Sequence, residues 1–332
     1  MDREVNMPNI VMHHHFGKVV YSALSDDIKK AIDDVKLYDF ATTGPNCFEK
    51  IQFTNKKSKK DDIAFSEYMH SHKSREFFMK MIEIARVDYN MFNYLCGFIT
   101  HYYLDAYTNP FISYLSGIYN VTDESTIEYR GLNQKLKIAY DCYVIENYYD
   151  TKPNAFRINS KILKLTKVNK SSKESLDRLY STVYGKNDGY KYVNSALRWQ
   201  ELYYFLTFDR FGLLNKILSK KDDGKSFIDM KYISYHNKKI DVSEVDIFNL
   251  KHNQWNNPVD KDIQSTESFF DLFDKAKKIA VECINDLYKY VFEGESFDFD
   301  YFFKDLSYYT GFPCAYNLEM KFFDNIFKKD LF

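Results

Sequence analysis

Two side chains that can bind a metal ion stand four residues apart in an otherwise apolar run. They are His101 and Asp105, in the segment 94–112 with the sequence Tyr-Leu-Cys-Gly-Phe-Ile-Thr-His-Tyr-Tyr-Leu-Asp-Ala-Tyr-Thr-Asn-Pro-Phe-Ile. On an α-helix this spacing puts the imidazole and the carboxylate on one face, where they can hold one cation or exchange a proton. Asn109 continues that face one turn later. Such a pair, taken alone, is more often hydrogen-bonded in a core than bound to a metal, so the rest of the chain must decide.

Metal-capable side chains recur in four other places, on or next to segments with helical periodicity. Helical bundles build metal sites from ligands on facing helices. The sequence therefore predicts that several of these side chains meet in the core of a bundle. The four places are the triple histidine His13, His14 and His15; Asn46 after Gly-Pro; His70 and His72; and the helical series Asn133, Lys137 and Asp141.

The elements that must position these side chains follow from the spacing of apolar residues. Strand alternation is scarce, so the predicted fold class is all-α, a multi-helix bundle with long loops. The charged run 55–60 predicts a solvated loop, 151–190 a polar loop or weak helix, and 222–245 a small hairpin or a long surface loop. Helical spacing predicts helices over 16–38, 76–92, 94–112, 131–149, 190–219, 267–292 and 317–329.

Length and composition fit one large helical protein. The chain has 332 residues, of which 45% are hydrophobic and 18% aromatic, so it has ample material for a core. We expect a metal-site helical region at 1–150 and a C-terminal helical region at 151–332, packed together as one continuous domain. The formal net charge of −1 argues against a dedicated nucleic-acid binder, because such proteins carry a basic surface.

The cysteines and the apolar runs predict a cytoplasmic location. Five cysteines without CxxC spacing indicate free thiols in a reducing compartment. The N-terminal residues lack the apolar segment of a signal peptide, and no run of roughly twenty apolar residues predicts a membrane span.

The order of the short motifs resembles the bacterial zinc-dependent phospholipase C family. The motifs are Met-Pro-Asn-Ile-Val-Met-His-His-His-Phe-Gly at 7–17, Gly-Pro-Asn at 44–46, Met-His-Ser-His-Lys-Ser-Arg-Glu-Phe-Phe at 69–78, and Gly-Phe-Ile-Thr-His-Tyr-Tyr-Leu-Asp-Ala-Tyr-Thr-Asn-Pro-Phe-Ile at 97–112. The C-terminal half also resembles the segments that follow the catalytic part in non-secreted members of this family, at residues 246–258, 268–273 and 307–312. The resemblance spans nearly the whole chain.

This resemblance implies an all-α bundle of the phospholipase C and P1 nuclease type, which binds zinc in a cleft. The implied ligand is a phospholipid or another small phosphate ester, met at a membrane surface without a membrane span. In this family the cations polarise the phosphoryl oxygen and activate a water, and an acidic residue handles the proton. The matching metal ligands are His13, His70, His101 and Asp105, and Asp105 can bridge two ions.

Several departures from the family pattern predict a depleted metal centre. Asn46 stands where the family has an acidic residue, and its amide cannot accept a proton as a base. Asn109 replaces a histidine, while Asn133 and Lys137 replace a histidine and a glutamate, so that only Asp141 is retained in that helix. We expect one zinc ion at His70, His101 and Asp105, or two with a weak second near His13, instead of three. His14, His15 or His72 could substitute as ligands.

Two functions follow from this pattern. The first is a zinc-dependent, phospholipase C-like phosphodiester hydrolase of weak activity, with Asn46, Asp105 and Asp141 at the catalytic positions. The second is a catalytically inactive pseudoenzyme, in which the helical scaffold binds a phospholipid headgroup, a phosphorylated ligand or a protein.

Overall fold

The chain is mainly helical in the computed structural model, which describes residues 10–51, 56–120, 122–165, 167–222 and 245–324 together with 224, 233 and 326. For residues 56–60 only the backbone enters the description. Thirteen α-helices lie in these ranges: α1 Ile10–Ala23, α2 Asp26–Ala31, α3 Val35–Ala41, α4 Lys56–Ser71, α5 Ser74–Ala85, α6 Asn90–Ser116, α7 Leu132–Tyr148, α8 Ile158–Lys161, α9 Lys173–Tyr184, α10 Gly189–Leu206, α11 Leu213–Lys220, α12 Phe269–Tyr288 and α13 Phe299–Phe302.

Shorter elements connect the α-helices. Helix α12 ends in a π-helical turn at Lys289–Glu293. Two short strands, β1 at Trp255–Asn256 and β2 at Gln264–Ser265, pair in antiparallel register. The 3₁₀ helices are Gly44–Lys50, Glu124–Tyr129, Pro153–Ala155, Lys170–Ser172 and Cys314–Tyr316.

Helix α6 is the centre of the fold. It is 27 residues long, and almost every residue in it is buried. A helix that is apolar on all sides must be surrounded by other elements, and α3, α5, α1 and α12 pack on it. Gly97 permits the close approach of α3, because a Cβ atom there would lie 2.3 Å from the carbonyl oxygen of Tyr38. The helix continues beyond Pro110 to Ser116.

The region predicted as one helix at 16–38 forms parts of three helices. Side-chain caps explain the breaks, because a cap satisfies backbone N–H groups at a helix start. Ser25 accepts a hydrogen bond from the backbone of Ile28, and Asp34 accepts one from Leu37 at 3.0 Å. The apolar periodicity continues across these breaks, because all three helices bury apolar side chains in the same core.

Other sequence predictions also need correction. The charged run predicted as a loop at 55–60 begins helix α4 at Lys56, and the helix is anchored further along by the buried Phe65 and Met69. Helix α9 forms inside the polar region 151–190, and a break separates α10 from α11 in the predicted helix 190–219. The hairpin predicted at 222–245 lies mostly outside the described residues.

The C-terminal segment does not form the predicted helix over the part that is described. Residues 317–324 are irregular. Their backbone instead bonds to other segments: Lys321 and Phe322 donate to the carbonyl oxygen of Pro258, and Asp324 donates to that of Tyr114. These non-local bonds compete with the helical ones, which explains why local periodicity predicted the wrong structure.

One hydrophobic core includes residues from Ile10 to Tyr308. All five cysteines are free. Among the described residues, no helix combines the length and the apolar character needed to cross a bilayer.

We predict that Asp34→Ala lowers the free energy of unfolding by about 1 kcal/mol, because α3 loses its N-cap. Asp27→Ala is the matched control. Asp27 lies in the first turn of α2, and its side chain is 73% exposed and paired with the exposed Lys30, so its loss should change stability by less than about 0.5 kcal/mol. Urea unfolding of the two variants measures this, and equal losses would contradict the capping role.

Candidate metal centre

Four of the predicted ligands converge, with three histidines around the carboxylate of Asp105. The Nε2 atom of His101 lies 3.0 Å from Oδ2 of Asp105, and the Nε2 atom of His70 lies 3.6 Å from the same oxygen. The Nε2 atom of His13 lies 3.3 Å from the other oxygen, Oδ1. His70 and His101 bring their Nε2 atoms within 3.4 Å of each other. The side chains come from α1, α4 and α6.

Backbone carbonyl groups fix two of the imidazoles. Nδ1 of His70 donates to the carbonyl oxygen of Ser66 at 2.7 Å, and Nδ1 of His101 donates to that of Thr42 at 3.1 Å. These partners assign the proton to Nδ1, which leaves a lone pair on each Nε2 atom. The lone pairs point toward Asp105, whose oxygens are also acceptors.

Local backbone geometry makes room for His101. Gly44 has a φ of +51°, in the left-handed region that glycine favours, and a Cβ atom there would lie 2.3 Å from the His101 ring. The ring of His13 stacks on the other side of His101, with the two centroids 4.1 Å apart. His101 is therefore held between the start of the 3₁₀ helix Gly44–Lys50 and helix α1.

Burial favours the neutral form of two of the imidazoles. Removal from water lowers the pKa of His13 to about 4 and that of His70 to about 3. Burial alone would raise the pKa of Asp105, but the neighbouring His101 and His13 more than offset this effect, so that the pKa of Asp105 lies below its usual value. Two imidazoles that favour the neutral form therefore lie beside a carboxylate that favours ionisation.

This set of atoms fits a divalent cation. Ligand atoms of His13, His101 and Asp105 lie within 4.8 Å of one another, and His70 adjoins them. Both Asp105 oxygens and both ring nitrogens of His13 are buried without a hydrogen bond of good geometry. A proton shared between His101 and Asp105 would relieve one contact between acceptors, whereas a cation would relieve all of them. Imidazole nitrogen and carboxylate oxygen are ligands that zinc accepts.

Asp141 lies beside the centre but binds the backbone. Its Oδ1 atom accepts from the backbone N–H of Met12 at 2.8 Å, and its Oδ2 atom lies 3.4 Å from that of Val11. This carboxylate therefore stabilises the first turn of α1, directly before His13.

The two asparagines on α6 and α7 contact neighbouring groups away from Asp105. Asn109 donates from Nδ2 to the carbonyl oxygen of Tyr308 at 2.8 Å. Asn133 donates to Oγ of Ser116 at 3.0 Å. Ser116 is eleven positions after Asp105 on α6, about 16 Å along the helix axis. The structure therefore does not bring Asn133 to the four converging residues.

The three other histidines that were predicted as substitute ligands point elsewhere. His14 lies 2.8 Å from the hydroxyl of Tyr149, and His15 packs against Tyr148. His72 is exposed and stacks on Tyr68, with the ring centroids 4.4 Å apart. In this arrangement none of these three rings joins the cluster at Asp105.

Three charged side chains border the centre, and only Lys137 among them was predicted from the sequence. Lys137 was predicted and is 3% exposed, and its charge lowers the pKa of both His13 and Glu49. Glu49 and Glu67 were missed. The position of Glu49, three residues after Asn46, is the one signal that could have revealed it, because positions i and i+3 of a 3₁₀ helix share a face.

Comparisons of this chain with models of protein families, with curated proteins and with solved structures found no match. The resemblance to the phospholipase C family therefore depends on the motifs themselves.

We predict that the metal-free protein loses stability as the pH falls from about 6.5 toward 4. The unfolded chain takes up protons on histidines near pH 6.5, whereas His13 and His70 stay neutral in the fold to about pH 4 and about pH 3. Protonation therefore favours the unfolded state. His70→Asn should reduce the slope by up to about 1.4 kcal/mol per pH unit, the limit for one proton.

The control for this experiment is His72→Asn, since His72 is exposed. Urea unfolding in a chelating buffer at several pH values measures the slopes. A wild-type slope equal to that of His70→Asn would show that His70 is not buried as a neutral base.

Proposed function

We propose that the chain is a zinc-dependent phosphoric ester hydrolase of the phospholipase C type with a single main metal site. The observation that carries this proposal is the cluster of three buried imidazoles around Asp105, with two ionisable side chains, Lys137 and Glu49, close enough to influence or adjoin it. The order of the motifs adds support for a bundle of that family's type.

The residues that would hold zinc are His13, His70, His101 and Asp105. A bound zinc ion would supply Lewis acidity toward a phosphoryl oxygen. Two helices fix the direction of His70 and His101 through the carbonyl groups of Ser66 and Thr42, so that their Nε2 atoms need no rearrangement. Lys137, on α7, adds a positive charge that favours an anionic substrate.

The neighbourhood of the centre favours chemistry over a purely structural ion. A structural ion needs only its ligands and an apolar surrounding, since burying further charges costs several kcal/mol for each ion. Here the surrounding contains Lys137, Glu49 and Glu67, all at least partly buried. Perturbed ionisable groups of this kind cluster at functional sites.

The alternative is a binding module with one structural metal. Two observations favour it: four protein ligands would complete a tetrahedral zinc shell, which is typical of structural sites, and the four side chains are at most 1% exposed. The amide of Asn46 at a position expected to be acidic also favours weak or absent turnover.

We predict that protein purified without a polyhistidine tag contains about one zinc ion per chain, because three imidazoles and one carboxylate supply the four ligands of a single zinc ion. It should also hydrolyse a chromogenic phosphorylcholine ester slowly, and His101→Asn should remove most of the zinc and the activity. His72→Asn is the control and should retain both. Elemental analysis and the rate of chromophore release measure these quantities.

The outcomes separate the two functions. Bound zinc without turnover, together with measurable binding of a phosphate ester, would support the binding module. Protein without metal, after purification and refilling with zinc, would contradict the hydrolase but not a binding module. Three zinc ions per chain would contradict the depleted centre.

A further inference from the structure

A carboxylate lies one 3₁₀ turn after Asn46, at the border of the metal centre. Glu49 belongs to the 3₁₀ helix Gly44–Lys50. In such a helix the side chains at positions i and i+3 eclipse each other, so Glu49 lies on the same face as Asn46. Gly44, at the start of this helix, lies against the ring of His101. The helix that supports one predicted ligand thus also carries Glu49.

Ser66 links Glu49 to a second predicted ligand. Its Oγ atom lies 3.4 Å from Oε1 of Glu49 and donates to the carbonyl oxygen of Pro45 at 3.0 Å. The carbonyl oxygen of the same serine accepts from Nδ1 of His70. One residue of α4 therefore fixes Glu49 and His70 relative to each other. The other carboxylate oxygen, Oε2, lies 3.6 Å from Nζ of Lys50.

The exposure of Glu49 suits contact with both solvent and the centre. Its side chain is 13% exposed, whereas the side chains of His70, His101 and Asp105 are fully buried. A group that takes a proton from water near the centre must be neither fully buried nor fully exposed.

The surroundings make Glu49 more basic than an ordinary glutamate. Burial raises its pKa, and the charges of Lys50 and Lys137 offset only part of this effect. Burial and the charge of Glu49 also raise the pKa of the adjacent Glu67 to about 7. A base works best when its pKa lies near the working pH. The ionisable groups that face Glu49 are Lys50, Glu67, Lys137, Tyr204 and Tyr309.

The three residues that the sequence placed at catalytic positions are unsuited to accept a proton. Asp105 is held ionised by the imidazoles and faces them. Asp141 binds the backbone of α1. Asn46 carries an amide, which is not a base.

We propose that Glu49 is the proton-accepting catalytic residue of this site. The proposal depends on the hydrolase function proposed above. As the oxygen of a water molecule forms a bond to phosphorus, the carboxylate of Glu49 takes one proton from that water. The bond between phosphorus and the ester oxygen breaks, and the proton passes from Glu49 to the departing oxygen. The products are an alcohol and a phosphate with one ester bond fewer, and the carboxylate is restored.

The central variant is Glu49→Gln, which keeps the shape and removes the basicity. We predict that it lowers the rate of hydrolysis of the chromogenic phosphorylcholine ester by about 100-fold or more. It should also remove the acid limb of the pH–rate profile, while the zinc content and the affinity for inorganic phosphate stay near wild type. Glu83→Gln is the matched control, because Glu83 lies on α5 with a side chain that is 53% exposed and paired with Lys80, and it should retain the rate and the acid limb. Glu67→Gln is the comparison variant that tests the neighbouring carboxylate.

Two further measurements distinguish a base from a structural role. Asn46→Asp in the Glu49→Gln background puts a carboxylate back on the same 3₁₀ face, and it should recover at least a tenth of the lost rate. The second measurement is the affinity of Glu49→Gln for zinc, measured by calorimetry. It should equal that of wild type, because Glu49 is not among the residues that would hold the ion, whereas a structural role would weaken zinc binding.

The results that would overturn the role of Glu49 alone differ from those that would overturn the hydrolase function. A zinc-loaded, active wild type whose rate and acid limb survive Glu49→Gln would overturn the role of Glu49 alone. Loss of the acid limb in Glu67→Gln but not in Glu49→Gln would also overturn it and would assign the base to Glu67. A wild type that binds zinc but does not hydrolyse the ester would overturn the hydrolase function and the role of Glu49 together.

Discussion

Several hydrogen-bond acceptors meet around Asp105, and the rest of the structure must hold them in place. Each of His70 and His101 uses its Nδ1 proton on a backbone carbonyl group, so that both Nε2 atoms and both carboxylate oxygens meet as acceptors in a buried space. Unpaired buried acceptors are costly. A cation is the simplest group that satisfies all of them at once.

The residues that depart from the family pattern are integrated into the packing. An amide can donate where a carboxylate cannot. Asn109 donates to the carbonyl oxygen of Tyr308, and Asn133 donates to Ser116, so each replacement joins α6 or α7 to a neighbour. Asp141, which the pattern retains, stabilises the first turn of α1 in front of His13. These polar side chains therefore hold the helices around the cluster at Asp105.

The all-α class and the pairing of His101 with Asp105 could be predicted from the sequence, because both depend on the period of one helix. The break at Asp34 could not, since a single side-chain cap decided it while the apolar pattern continued. The helix over Lys56–Lys60 also escaped prediction, because apolar residues further along α4 anchor a charged run. Glu49 was missed for a related reason: its face depends on a 3₁₀ turn that composition does not reveal.

The charged groups beside the centre bear on the choice between a structural ion and a working centre. Each buried ion costs several kcal/mol unless a partner compensates for it, so a structural centre would be more stable with apolar groups around it. Lys137 is almost fully buried, and the side chain of Glu49 is 13% exposed. The charge of Lys137 acts on both Glu49 and His13. An ammonium favours an anion, and a basic carboxylate favours a proton donor such as water. The presence of two such groups is therefore the reason to propose phosphate ester hydrolysis rather than a fixed structural ion.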